Sequence, residues 1–104
     1  DWRLLRDVYE QVEHPDFGLC LDIGHAHCYS DIPAIEWAEE LAPYVRHVHI
    51  HDNAGERDSH LGLGRGNLPW KEALSYLPRT ETRTWTIECI NKEDVQICVQ
   101  SLLT

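Results

Sequence analysis

Three histidines alternate with apolar residues in His47-Val48-His49-Ile50-His51-Asp52. A strand has period 2, so one face would carry Val48 and Ile50 and the other His47, His49 and His51. Imidazole is the commonest metal-binding side chain and titrates near neutral pH. Asp58-Ser59-His60 follows, and then Gly62-Leu63-Gly64-Arg65-Gly66-Asn67. Two further stretches pair an acid with an apolar run: Leu21-Asp22-Ile23-Gly24-His25 and Thr86-Ile87-Glu88. Each has a plain structural use: Asp22 would cap a loop or helix, Glu88 would form an ion pair in a sheet, and His25 and His60 would lie at the surface. Brought together, two carboxylates and several imidazoles form a mixed oxygen and nitrogen donor set. Such a set suits Zn²⁺, Mn²⁺ or a similar ion better than a pure oxygen site would. A divalent cation would also remove the repulsion between neighbouring carboxylates.

The elements that must position these groups follow from periodicity. Leu5, Val8, Tyr9 and Val12 give residues 2–12 the buried face of a helix, which His14-Pro15-Asp16 ends. Residues 17–23 read as a buried strand, with Gly18, Cys20 and Asp22 on one side and Leu19 and Leu21 on the other. Residues 24–27 read as a loop leaving that strand. Asp31 is the expected N-cap of the next helix, with Pro33 in its first turn, Ile35, Ala38 and Leu41 along its stripe, and Pro43 closing it. The histidine strand spans 45–52. Residues 53–69 form a Gly-, Asp- and Asn-rich loop of a length that is often functional. A helix over 70–77 and a strand over 84–90 follow; Trp85 and Ile87 share one face of the strand, and Thr84, Thr86 and Glu88 the other. Asn91 should cap a last helix that turns Val95, Cys98 and Leu102 inward, while Thr104 carries no cap or tail signal. Helices and strands alternate, which implies parallel strands. Asp22, His49 and Glu88 then lie near the carboxyl ends of three strands, where parallel α/β folds place ligands. His27, His47 and His51 are expected to be supporting residues rather than ligands.

The 104 residues fit one domain, and no apolar run is long enough to span a membrane. A net charge of −9 argues against a surface that tracks nucleic-acid phosphates. Cys20, Cys28, Cys89 and Cys98 form no C-x-x-C pair, and Cys20 and Cys89 read as reduced, buried thiols, so a cytoplasmic origin is expected. No glycine-rich phosphate fingerprint follows the first strand.

The stretches 21–25, 47–53 and 58–67, with Ile87-Glu88, resemble the C-terminal part of the xylose isomerase-like TIM-barrel superfamily. That group holds sugar phosphate isomerases and epimerases as well as endonuclease IV-like AP endonucleases. The resemblance covers nearly the whole chain, and Asp-x-His-x-x-Leu-Gly-x-Gly is its most specific part. It implies an α/β fold comprising strands six to eight of a (β/α)8 barrel, a partial domain over 1–104. A closed barrel takes about 250 residues.

By motif, Asp22, His49 and Glu88 match three of the four ligands of one divalent ion (Mn, Mg or Zn) in the epimerase-like members. The fourth, a strand-five glutamate, has no counterpart in this chain. His25, Asp58 and His60 match further ligands of a trinuclear zinc site in the endonuclease-like members. The position of His25 and an arginine in the long loop contact substrate oxygens in the epimerases; Arg65 is the candidate for that arginine, with a surface role as the alternative. The resemblance implies a metal-dependent sugar or sugar-phosphate isomerase or epimerase in the intact protein. It would move a proton next to a carbonyl through an enediolate, with Glu88 as one of an acid–base pair, and the partner would be a small-molecule sugar. The alternatives are a zinc phosphodiesterase acting on abasic DNA, which the acidic charge disfavours, and a non-catalytic metal- or sugar-binding homologue.

Overall fold

A computed structural model describes residues 1–103; Thr104, with its absent cap signal, lies outside the described residues. The element order is α1 (Trp2–Val12), β1 (Leu19–Asp22), α2 (Ile23–Tyr29), α3 (Ala34–Leu41), β2 (Val45–Ile50), α4 (Trp70–Ser75), β3 (Thr84–Ile87) and α5 (Lys92–Leu103). The strands form one parallel sheet in the order β1-β2-β3. Leu19, Leu21, Val48 and Ile50 point to one side, where they are buried with Ala38, Leu41, Ala73 and Leu77. The opposite face of the sheet carries Cys20, His47, His49, Thr84 and Thr86, each at least partly accessible.

Cys20 is therefore exposed, contrary to the buried thiol expected there. It lies on the Asp22 side of β1, away from the helices, and an apolar run alone does not say which face is covered. Likewise, of the expected stripe of α1 only Leu5 and Tyr9 pack on the core, joined by Trp2, whereas Val8 and Val12 are exposed. The helix is anchored mainly against α3, where Trp2 Nε1 donates to Glu36 Oε2 at 2.8 Å. Asp1 caps α1, its carboxylate accepting the Arg3 N–H at 2.9 Å.

Two local expectations fail for one reason, the placing of a cap. Residues 24–27 are not a loop: α2 starts directly after β1 because Asp22 caps it, accepting the His25 N–H at 2.8 Å. Asp31 does not cap α3, whose N-cap position is Pro33 and which has no side-chain cap. Ser30 orders that turn instead, its hydroxyl accepting from the Ile32 N–H and from Trp37 Nε1, each at 3.0 Å. Asn91 does cap α5, accepting the Asp94 N–H at 2.8 Å.

The segment 53–69 has no helix or strand but is tightly held. Asp52 and Leu61 exchange both backbone hydrogen bonds in an isolated antiparallel bridge, at 2.8 and 2.9 Å. The fully buried Asp52 carboxylate accepts N–H groups from Asn53 at 2.8 Å, Gly64 at 2.9 Å and Leu68 at 3.0 Å. One side chain thus satisfies three loop donors that would otherwise need water. Gly66 passes so close to the Asn53 carbonyl and the Asp52 carboxylate that a Cβ there would collide with both.

Candidate metal centre

Register brings the strand-end groups together. Asp22 lies opposite His49, and His49 opposite Thr86, in one row across the sheet. Glu88 follows β3 directly, and its N–H extends the ladder to the Ile50 carbonyl at 3.0 Å. His49 Nδ1 consequently sits between two carboxylates, 3.6 Å from Asp22 Oδ2 and 3.3 Å from Glu88 Oε2. The loop supplies a second group, since the Asp52–Leu61 bridge folds Asp58 and His60 back toward α2. Asp58 is approached by His25 Nε2 at 2.9 Å and by His60 Nε2 at 3.0 Å. His25 joins the two groups, with Nδ1 3.2 Å from Asp22 Oδ2.

His60 is the clearest case of a poised ligand. Its Nδ1 lies 2.6 Å from the Glu88 carbonyl, which can only accept, so Nδ1 carries the proton. When the ring is neutral, Nε2 turns a lone pair toward the Asp58 carboxylate. A histidine that donates one ring N–H to a backbone carbonyl and presents the other nitrogen to anionic donors has the arrangement of a metal ligand. Asp22 Oδ2 and Asp58 Oδ1 are buried and accept no hydrogen bond. Buried carboxylate oxygens are seldom left so, and a cation shared with the facing imidazoles would satisfy both. His25, His51, Asp58 and His60 bring their donor atoms within 4.8 Å of one another, as do Asp22, His51 and Glu88. The donor set is chemically suited to a zinc- or manganese-type ion.

The same neighbours set the titration of these groups in the absence of an ion. Burial pushes the Asp22 carboxyl up, but the His51 and His25 rings and the His25 N–H outweigh it, and the group stays below the usual carboxylate range. Burial pushes the His60 imidazole down, yet the Glu88 carbonyl and the Asp58 carboxylate raise it above the ordinary histidine value.

Of the residues singled out by sequence, Asp22, His49 and Glu88 meet, and so do His25, Asp58 and His60. Arg65 has a partner of its own: Nη1 lies 2.7 Å from Oδ1 of Asp94, a nearly buried residue in the first turn of α5. His27 clips α2 to the loop, with Nε2 2.6 Å from Asn67 Oδ1. His47 lies one position below His49, its nitrogens bonded to the Thr84 hydroxyl at 2.5 Å and the Thr86 hydroxyl at 3.0 Å. Sequence reasoning underrated two residues. His51, expected to be a supporting residue, is fully buried between the two groups, with Nε2 2.8 Å from Asp22 Oδ1. Asp52 organises the loop and was not singled out. The alternation that placed His51 on the His49 face was the available signal for the first; nothing local marked the second.

The family model described as xylose isomerase-like TIM barrel matches residues 2–100. The chain belongs to this family. A solved structure titled D-tagatose 3-epimerase-like protein superposes with a TM-score of 0.81 at 29% identity, covering 98% of this chain and 39% of its own. Two proteins of Methanocaldococcus jannaschii, both named as uncharacterized, are also similar. MJ1311 is 35% identical over 75 residues and MJ1614 33% identical over 86 residues, covering 70% and 81% of this chain. The chain spans 25% and 33% of those relatives' lengths. Its α/β fold thus corresponds to part of a xylose isomerase-like barrel, and the strand ends carrying Asp22, His49 and Glu88 are the carboxyl ends, the side on which such barrels hold their sites.

Proposed function

We propose that this chain supplies one wall of the active site of a metal-dependent sugar or sugar-phosphate isomerase or epimerase. The observation that carries the reading is His49 held between Asp22 and Glu88 at the carboxyl end of three parallel strands. The epimerase-like neighbour lends it a substrate class. Asp22, His49 and Glu88 would hold the ion, which when bound supplies Lewis-acid polarisation of a substrate carbonyl. Glu88 is the most accessible of the three, its side chain 36% exposed. Its carboxylate would take the proton from the carbon beside the carbonyl and return it, as a general base and then a general acid. His49, 3.3 Å away, holds the carboxylate in place. The Asp22 carboxylate, tied by Oδ1 to the start of α2, keeps its free oxygen aimed at the same point. His25 faces the same opening with its ring partly exposed and is the chain's contact to a substrate hydroxyl.

One observation favours a second reading. His25, Asp58 and His60 converge with His51, and several ions held there would serve phosphodiester cleavage at abasic DNA sites. The net charge of −9 weighs against it, because a DNA enzyme must neutralise phosphates. Four unpaired thiols are in keeping with a cytoplasmic setting. The test is to strip the protein carrying the closed barrel of metal, restore Mn²⁺, Mg²⁺ or Zn²⁺ separately, and assay a panel of ketoses beside an abasic duplex oligonucleotide. Metal-dependent sugar interconversion without strand cleavage is expected. Cleavage without turnover of any sugar would replace this reading with the second. Inactivity on both, with metal bound, would leave a binding homologue.

A further inference from the structure

His51 is fully buried, and neither of its ring nitrogens has a hydrogen-bond partner. Nε2 lies 2.8 Å from Asp22 Oδ1 without hydrogen-bond geometry, and Nδ1 lies 3.9 Å from Asp58 Oδ1. No tautomer of a neutral imidazole suits these surroundings. Whichever nitrogen bears the proton lacks an acceptor in line, and the other turns a lone pair toward a carboxylate. Leaving such a group unsatisfied in the interior is costly. The ring is nevertheless fixed in place. It stacks on His60 at 3.9 Å with 10° between the planes. On the α2 side it lies against Gly24, where a Cβ would run into it.

The other unsatisfied buried atoms belong to the two carboxylates that flank the ring: Asp22, whose Oδ1 faces Nε2 and whose Oδ2 has no partner, and Asp58, whose partnerless Oδ1 faces Nδ1. We infer that His51 is a bridging ligand: one nitrogen binds an ion held with Asp22 and Glu88, the other an ion held with His25, Asp58 and His60. Both donor groups contain His51, and donor atoms within each lie within 4.8 Å. The 3.9 Å from Nδ1 to Asp58 is too long for a hydrogen bond, and a shift of about half an ångström would bring the two atoms to the roughly 3.4 Å that separates donors around a tetrahedral zinc-sized ion. Bridging requires the ring to lose its remaining proton to solvent on loading. The negative charge left on the ring is then shared by two dications. This inference rests on the proposed function only for the location of the first ion.

Copper provides the test, because two Cu²⁺ ions joined through one imidazolate are magnetically coupled and two separate ions are not. The metal-free protein is loaded with Cu²⁺, the bound copper counted by elemental analysis, and the spins counted by electron paramagnetic resonance. At least two coppers are expected, with a spin count well below the copper count at low temperature. In His51→Gln the spin count should rise to match the copper that remains, and Zn²⁺ affinity at both positions should fall at least tenfold. The wild-type measurement decides even if the variant does not fold. Two coppers with a full spin count, or a single ion bound per chain, overturns the bridge. A single ion that is lost in His49→Ala would leave the proposed function standing. No bound ion in the wild type overturns both.

Discussion

Asp52 is the residue on which the order of the loop carrying Asp58 and His60 depends, and Asp52→Ala isolates its contribution. The carboxylate accepts three backbone N–H groups, from Asn53, Gly64 and Leu68. Asn53 and Leu68 are buried, whereas Gly64 is exposed and its N–H can find water. Each buried donor left without a partner costs about 1–3 kcal/mol, so the substitution should cost about 2–6 kcal/mol. Domain stabilities are typically about 5–15 kcal/mol. The loss should therefore open the loop before it unfolds the sheet. Native-state hydrogen exchange resolves the two. The amides of Asn53 and Leu68 should exchange at least about tenfold faster, since tenfold corresponds to roughly 1.4 kcal/mol, while Val48 in the centre of β2 changes far less. Asp52→Asn keeps one acceptor oxygen and should fall between. Exchange at Leu68 unchanged within about twofold would refute the claim that this carboxylate holds the loop.

Gly24→Ala should displace the His51 ring, because the added carbon would occupy its place, and should lower bound metal in elemental analysis with little change in helical circular dichroism; retention of wild-type metal content would contradict the close-packing argument. Burial raises the Asp94 carboxyl, but Arg65, the Gly62 N–H and Asn91 outweigh it and hold it below the usual value of 3.8. Its contribution to stability is accordingly complete above the unfolded value near about 4 and is lost as the pH falls through the lower folded value. Arg65→Ala should then move the acid-unfolding midpoint to higher pH and lower Tm by several degrees, and an unchanged midpoint would show that the ion pair is idle. Cys89 is pushed up to about 12 by burial and by Cys98, whose Sγ is 3.6 Å away. Peptide mapping after brief maleimide treatment should find exposed Cys20 labelled well before Cys89 or Cys98, and equal labelling would contradict the burial described.

Strand order and the meeting of Asp22, His49 and Glu88 were legible in the sequence because period-2 alternation fixes faces, and parallel strands in sequence order align their ends. What escaped was set by contacts between segments distant in sequence. Asp22 reads as a cap and as a ligand, but the α2 that it starts is hidden by Gly24, a poor helix residue at which the His51 ring makes its close approach. Val8 and Val12 fit a helical stripe, and only the packing of α1 on α3 decides that they stay exposed. The role of Asp52 was illegible because its partners Gly64 and Leu68 lie 12 and 16 residues away in an irregular loop. Arg65 occupies a position where the motif anticipates a substrate contact, yet its nearest anion is Asp94, in a helix that begins after the last strand.

The central claim is that Glu88 moves a proton at a carbon beside a carbonyl, next to an ion held by Asp22 and His49. The most direct measurement is solvent exchange: the metal-restored protein carrying the closed barrel is incubated in D₂O with its accepted ketose, and deuterium at that carbon is followed by proton NMR. The account predicts metal-dependent deuterium uptake. It also predicts a large loss in Glu88→Gln, whose amide keeps an oxygen donor but cannot take the proton, with metal content lowered less than in His49→Ala. Wild-type rates of deuterium uptake in Glu88→Gln, or sugar turnover with no deuterium incorporated by the wild type, would contradict it.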